Sequence, residues 1–403
     1  MSSTEGNRLP EGWEIKSLAD IGNIFSGNSI NAKLKEEKYE NTQGIPYVAT
    51  KDISYNSVIN YDNGINIPLD DVNKFRLAKK ETIFICAEGG SAGRKVGLLN
   101  QDVYFVNKLF ALETNSDINS KFCFYWYLSN EFKSNFKDKL KGLIGGVSKT
   151  DFKKLPIPIP PLYEQKRIVA KIDNLFAKID KAISLTETSL VQAKNLLPSI
   201  IDETFDSFDA EKVDLKSISE SIQYGYTGKT IEDGQYYYLR ITDIQGGVVN
   251  YQAAPYSDIE GVNIAKYKLN KGDILFARTG ATAGKSYLFN DDVDAVFASY
   301  LIRVVCNQDI VRPSFVKWFF LSANYWKQIY GNIIGAAQPN FNGKKLGELN
   351  LKVPSLGQQE LVIDYLEKVS KQTKETQSKL EEQLRYLKQL KSSILSKAFK
   401  GEL

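Results

Sequence analysis

The chain says the same thing twice. The stretch "YVATKDI", ending at Ile53, returns as "YLRITDI", ending at Ile244. "TIFICAEGGSAGR" returns as "DILFARTGATAGK", and Gly93 to Gly284 spans the same 191 positions as Ile53 to Ile244. From Leu155 to Phe205 the chain aligns without a gap to Leu349–Phe399, which sets Pro160 on Pro354 and Gln165 on Gln359. Order and spacing persist although identity is low, so the fold must be one that can be built twice from a single plan.

Each half divides in two. The first part is a series of short strand-like runs, "IPYVAT", "TIFICA" and "VYFVNKLFALE", then "YYYLRI", "DILFAR" and "AVFASYLIRVV", punctuated by Gly and Asn. It also holds an aromatic helix candidate, "KFCFYWYLSNEF" or "PSFVKWFFLSANYW", whose rings read as core. The second part is a long helix. After the proline-rich "LPIPIPPL", residues 163–206 contain no glycine, and Ile168, Ile172, Leu175, Ile179 and Ala182, then Ala193, Leu196 and Ile200, fall at steps of four and three. Leu366, Val369, Leu380, Leu384, Leu387 and Ile394 repeat the stripe. Both stripes turn polar midway, and Pro198 predicts a kink or a weak point. The expected fold is mixed α/β (α+β): globular domains at 1–158 and 209–354, and two long antiparallel coiled-coil helices at 159–208 and 355–403. A helix of this length, about 60 Å at ~1.5 Å per residue, predicts a ruler that lets two domains reach separate segments of one DNA duplex.

Composition narrows the chemistry. There is no histidine, which removes histidine-based triads, histidine-ligated zinc and imidazole acid–base work. Cys86, Cys123 and Cys306 are scattered and unpaired, as in a reducing cytoplasm. No apolar run approaches membrane-spanning length, and the polar start lacks the apolar core of a signal peptide, so a cytoplasmic protein without membrane contact is expected. The net charge of +4 is mild, so any nucleic-acid contact must come from local patches or from partner subunits.

"IPIPPLYEQKRIVAKID" and the terminal "LKSSILSKAFKGEL" resemble the helical regions of specificity subunits of type I restriction–modification systems, and the order domain, helix, domain, helix resembles that family over nearly the whole chain. The second copy of the motif, "VPSLGQQE", departs in having Gln358 where the first has Glu164. The resemblance implies two target-recognition domains, each reading half of a split, asymmetric site in double-stranded DNA. It implies helices that space them and hold two methyltransferase (modification) subunits, with restriction (motor-nuclease) subunits completing the complex. The chain itself is then non-catalytic and needs no cofactor or metal. Glu164, Gln165, Lys166, Arg167, Gln359 and Glu360 become candidates for the partner-subunit interface.

The glycine-rich segments fit that frame better than a nucleotide site. "RTGATAGKSY" lacks the spacing of a phosphate-binding loop, and its echo at 87–96 marks a tight turn used twice. Arg94, Arg278 and Lys285 beside these turns are candidates for DNA phosphates, or else solvated cations on structural turns. "SGNSINAKLKEEKYENTQ" and "QYGYTGKTIEDGQYYY" occupy matching places yet differ most between the halves, as two different half-sites require. They nominate Lys33, Lys35 and Tyr39, and Tyr226, Lys229 and Tyr236. "GGVSKTDFKK" and "GAAQPNFNGKK" nominate Ser148, Lys149, Gln338 and Asn340. Enzyme signals are poor: Glu131-Phe132-Lys133 is a nuclease-like triplet without its preceding Pro-Asp, and "IPPLY" lacks the polar residue that an adenine methyltransferase places before its prolines. A stand-alone nuclease or methyltransferase, or a coiled-coil adaptor without DNA affinity, are the rival readings.

Overall fold

The computed structural model describes residues 9–142, 145–245, 247–257, 259, 264–333 and 341–403. The chain forms two compact units, one of residues 1–186 with 383–403 and one of residues 187–382. Mixed α/β architecture and two long helices are found as expected, Leu162–Asp206 (the central helix) and Leu356–Phe399 (the C-terminal helix).

In the first unit a four-stranded antiparallel sheet runs in the spatial order Gly22–Ser26, Leu109–Thr114, Ile83–Cys86, Val96–Leu98. Ile83–Cys86 is apolar at every position because both faces are covered. A second sheet contains a parallel pair, Tyr47 opposite Tyr104, and a two-stranded ladder joins Glu14–Ser17 to Pro156–Ile159. Two domain helices follow, α1 (Ser120–Leu128) and α2 (Asn130–Lys137). Each starts where a side-chain oxygen accepts an otherwise orphaned N–H: Asn119 from Phe122, and Ser129 from Phe132.

The second unit repeats this plan. Its antiparallel sheet has the order Ser219–Tyr224, Leu301–Cys306, Ile274–Ala277, Ser286–Leu288. The parallel pair returns as Tyr237 opposite Ala295, and the end ladder as Lys212–Asp214 with Asn350–Lys352. Its domain helices are α3 (Pro313–Phe319) and α4 (Ala323–Ile333).

Within each unit the long-helix segments pack on the domain as well as on each other. Ile168, Ile172 and Ile179 of the central helix join Phe122, Trp126, Phe132 and Phe152 in one core, together with Ile394, Leu395, Ala398 and Phe399 from the C-terminal helix. The Phe399 ring lies 5.1 Å from Phe122 and 5.0 Å from Trp126. In the second unit Phe205, at the position matching Phe399, packs 5.0 Å from Phe315, and Leu366 completes that core. Fully burying such side chains is worth about 1.5–3 kcal/mol each, so the domain–helix contact is a main source of order in both units. The segments are antiparallel in each. Asp180 pairs with Lys391 and Arg167 reaches the Leu403 carbonyl in the first, and Lys194 approaches Glu381 at 3.9 Å in the second.

Two expectations change in detail. Leu196 is half exposed and does not belong to a continuous seam. The polar middle is buried at Thr186 and Thr373, where the hydroxyls donate back to the Ala182 and Val369 carbonyls of their own helices. The central helix continues unbroken through Pro198, which sits on an exposed face where the carbonyl it leaves unbonded can meet water.

Candidate nucleic-acid interface

The glycine-rich turns are built alike. In the first, Gly89 and Gly93 have φ of 79° and 69°. In the second, Gly280 and Gly284 have φ of 72° and 92°. A side chain at Gly93 would place its Cβ 2.5 Å from the Phe136 ring, and one at Gly284 2.9 Å from Trp326. Glycine is therefore required twice over, by the left-handed backbone and by a domain helix packed against the turn.

Each turn presents an arginine on a tyrosine. The Arg94 guanidinium stacks 4.8 Å from the centre of the exposed Tyr55 ring, whose hydroxyl lies 3.3 Å from Ser91 Oγ. The Arg278 guanidinium stacks 4.9 Å from the Tyr224 ring, and the Tyr224 hydroxyl accepts from Gly343 N at 2.8 Å. The two arginines are not duplicates. Arg94 follows its turn and aligns with Lys285, whereas Arg278 precedes its turn and aligns with Ala87. Arg94 is exposed, whereas Arg278 is partly buried, with its Nη1 3.5 Å from the Ser299 carbonyl. Each ring leaves its flat cation few rotamers to lose, which suits bidentate contact with phosphate or guanine.

The pre-helix segments come to the same places. Val147 donates to the Ala87 carbonyl and Gly89 to the Gly145 carbonyl, which sets Ser148 and Lys149 beside the first turn. Phe341 donates to the Arg278 carbonyl, tying the matching segment to the second. Ser148 Oγ accepts from Asp151 N as the cap of a short helix, Lys149–Lys153, and Lys149 is exposed at its start. Gln338 and Asn340 lie outside the described residues.

The loop candidates divide. Lys33 is exposed and only loosely paired with Glu37, at 3.7 Å. Lys35 lies 4.9 Å from the Tyr47 ring, and burial, then Lys51, push its pKa down. Tyr39 does not face a partner. It is buried, and its hydroxyl donates to Asp71 at 2.8 Å, where Lys38 and Lys74 also converge at 2.6 and 2.7 Å. Those three hydrogen bonds hold the Asp71 carboxyl well below the usual range. In the second unit Lys229 is exposed and Tyr226 half-buried, 5.5 Å from Tyr267. Tyr236 is enclosed in a small core with Tyr238, Val296 and Ala298, and the Lys268 ammonium lies 5.9 Å from its ring. Lys285 is exposed beside a cavity that Trp318 and Trp326 also line.

Two interface candidates are also enclosed. Gln165 accepts from Asn119 N at 2.8 Å and donates to the carbonyls of Pro160 and Asp117. Gln359 repeats all three bonds, with Arg312 N, Pro354 O and Ile310 O. Each glutamine fastens a long helix to the N-terminus of a domain helix, where orphaned N–H groups need partners. Their exposed neighbours remain available. Glu164 forms a two-pronged pair with Arg167 at 2.7 Å, Lys166 is exposed, and Glu360 takes Arg312 at 3.0 Å. Tyr55 and Tyr224 were not among the sequence candidates. Tyr224 falls within the nominated segment "QYGYTGKTIEDGQYYY", at the end of the strand Ser219–Tyr224, without being one of its candidates, whereas Tyr55 lies outside the nominated segments. Only the fold brings an arginine over each ring.

The family model described as the type I restriction modification DNA specificity domain matches residues 10–187 and again residues 209–386. The chain belongs to this family. It is 23% identical to the specificity subunit of the type I restriction enzyme EcoKI of Escherichia coli K12, over 98% of this chain and 90% of that protein. It is 23% identical to the MjaVIII specificity subunit of Methanocaldococcus jannaschii, over 90% of this chain and 87% of that one. The fold is shared with a solved chain from a study of complex assembly and conformational transition in a type I restriction–modification system. The TM-score there is 0.77 at 17% identity, over 98% of this chain and 100% of the other. It is also shared with the HsdS subunit of Thermoanaerobacter tengcongensis, with a TM-score of 0.65 at 18% identity over 100% of both chains. The two matched segments each contain one glycine turn, one arginine–tyrosine stack and one glutamine lock, so the family repeat and the structural repeat coincide.

Proposed function

We propose that this chain is the sequence-reading subunit of a type I restriction–modification complex and performs no chemistry itself. Residues 1–158 and 209–354 act as target-recognition domains for the two halves of a bipartite, asymmetric site in double-stranded DNA. Residues 159–208 and 355–403 act as spacers that hold two methyltransferase subunits, with restriction subunits joining the assembly. The observation that carries this reading is one scaffold built twice with cations arranged differently on each copy, Arg94 on Tyr55 and Arg278 on Tyr224. Such a pair of surfaces suits two unlike half-sites better than one symmetric site.

Arg94, Arg278, Lys33, Lys35, Lys149, Lys229 and Lys285 supply phosphate or base contacts, with Ser148 and Tyr226 at the edges of the same surfaces. Tyr39 and Tyr236 support these surfaces from beneath. Glu164, Lys166, Arg167 and Glu360 face the partner subunits. The setting is cytoplasmic. Among the described residues no helix is long and apolar enough to cross a membrane.

The test is methylation mapping. Incubated with its methyltransferase subunit, S-adenosylmethionine and genomic DNA, the chain should direct methylation to one split, asymmetric sequence. The chain alone should methylate and cut nothing. Methyl transfer or cleavage by the pure chain, or methylation without sequence preference in the complex, defeats the reading.

A further inference from the structure

We infer that a cavity on the first unit, walled by Trp126, Pro156, Pro158 and Phe399 around the Glu131 carboxylate, receives a basic side chain of one methyltransferase subunit. The inference rests on the assembly reading above. It goes further by naming a pocket, a chemistry and an inequality between the two bound subunits.

The cavity encloses about 530 Å³. Its walls are mostly apolar, and Ile15, which is mostly exposed, stands at its edge. Asn135 and Lys400 complete the lining, and Lys400 makes no ion pair with Glu131 among the described residues. Glu131 Oε1 accepts from Ser396 Oγ at 2.6 Å, which fixes the carboxylate in place. Glu131 Oε2 is buried and has no hydrogen-bond partner among the described residues. A buried, unpaired carboxylate oxygen is costly, and a cation delivered to it recovers most of what its desolvation loses. The apolar walls suit the methylene stem that carries such a cation. Nucleic acid is the wrong occupant, because phosphate and carboxylate repel.

The duplication supplies an internal comparison. Glu131 lies two residues after the capping Ser129, and Asn324 lies two residues after the capping Ser322. Asn324 accepts from Gln328, and Gln328 exchanges two hydrogen bonds of 2.8 Å with the Asn350 backbone. In the first unit the residue matching Asn350 is Pro156, which has no N–H to offer. Ser396 is matched by Asp202, which caps Ala323 N. The second unit thus satisfies its own polar groups at this place, and the first leaves a charged acceptor open.

The partner follows from continuity. Ser396 and Phe399 belong to the last turns of the C-terminal helix, and a few residues on the Leu403 carbonyl accepts from Arg167. Arg167 is one of the spacer residues assigned to the methyltransferase interface, so the cavity extends that surface.

The test uses the full chain and purified methyltransferase subunit in titration calorimetry and native mass spectrometry. Glu131→Gln keeps the size and the Ser396 hydrogen bond and removes the charge. It should weaken one of the two methyltransferase sites at least about tenfold, as loss of a charged hydrogen bond does, and leave the other unchanged. Ile15→Ser should weaken the same site, and Asn324→Ala should leave both intact. Unchanged binding of both subunits by Glu131→Gln, or an equal loss at both sites, overturns the inference while the assembly reading stands. A wild-type chain that binds no methyltransferase subunit overturns the assembly reading and this inference with it.

Discussion

At the scale of single residues, the arginine–tyrosine stacks are where the recognition reading is most exposed to test. Arg94→Ala should weaken DNA binding and reduce the slope of log affinity against log salt by about 1 if it covers one phosphate. Arg278→Ala should do the same through the other half-site. Because the two stacks belong to different units, each variant should relax preference at its own half-site only, read by binding to duplexes altered in one half. Arg94→Lys should recover part of the salt slope but not the selectivity, since an ammonium lacks the flat fork that the Tyr55 ring orients. The thiols give an independent check on packing. Cys86, Cys123 and Cys306 are buried, and burial pushes their pKa values up, to about 12 for Cys306. A thiol protonated in the fold but titrating normally when unfolded, at ~8.5, contributes stability below that pH and loses it as pH rises toward the folded value. Alkylation at pH 8 should therefore modify none of the three in the native chain and all three in denaturant. Rapid labelling of native protein would show that these cores are open.

At the scale of elements, the helices and central strands were legible because their signals are local. Apolar period, the absence of glycine and the proline-rich entry placed the central helix, its repeated stripe placed the second, and the run "TIFICA" read as a strand. The roles of Gln165 and Gln359 were not legible. Polar residues in the first turn of an exposed-looking helix read as partner contacts, and only the fold folds them inward onto Asn119 and Arg312. Replacing Gln165 by Leu leaves the Asn119 N–H and two carbonyls without partners, and each such group costs about 1–3 kcal/mol. Gln165→Leu should lower the urea midpoint of the first unit, and Gln359→Leu that of the second, by similar amounts. A variant as stable as the wild type would mean that water replaces the lock. Tyr39 misled in the same way. Its loop composition suggested exposure, but Asp71, 32 positions later, draws the hydroxyl inside.

At the scale of the whole molecule, the compact units do not coincide with the halves of the sequence. The first unit is completed by residues 383–403, whose Ile394, Leu395 and Phe399 cover Ile168 and Ile172. A fragment 1–207 lacks that cover. It does carry Ile201 and Phe205, which align with Leu395 and Phe399. A second copy can therefore supply the missing segment, and burying such side chains at about 1.5–3 kcal/mol each favours it. The fragment should sediment as a two-fold homodimer and, with the methyltransferase subunit, should direct methylation to an inverted repeat of the first half-site. A stable monomer would defeat this expectation. By itself the sequence determined the duplication, the alternation of domain and helix, and the glycine turns, because each is written in the spacing of neighbouring residues. Only the tertiary structure decided which helix segment completes which unit, which arginine lies on which tyrosine, and which polar side chains are enclosed. Those outcomes depend on contacts between residues tens to hundreds of positions apart, and neither periodicity nor composition records such pairings.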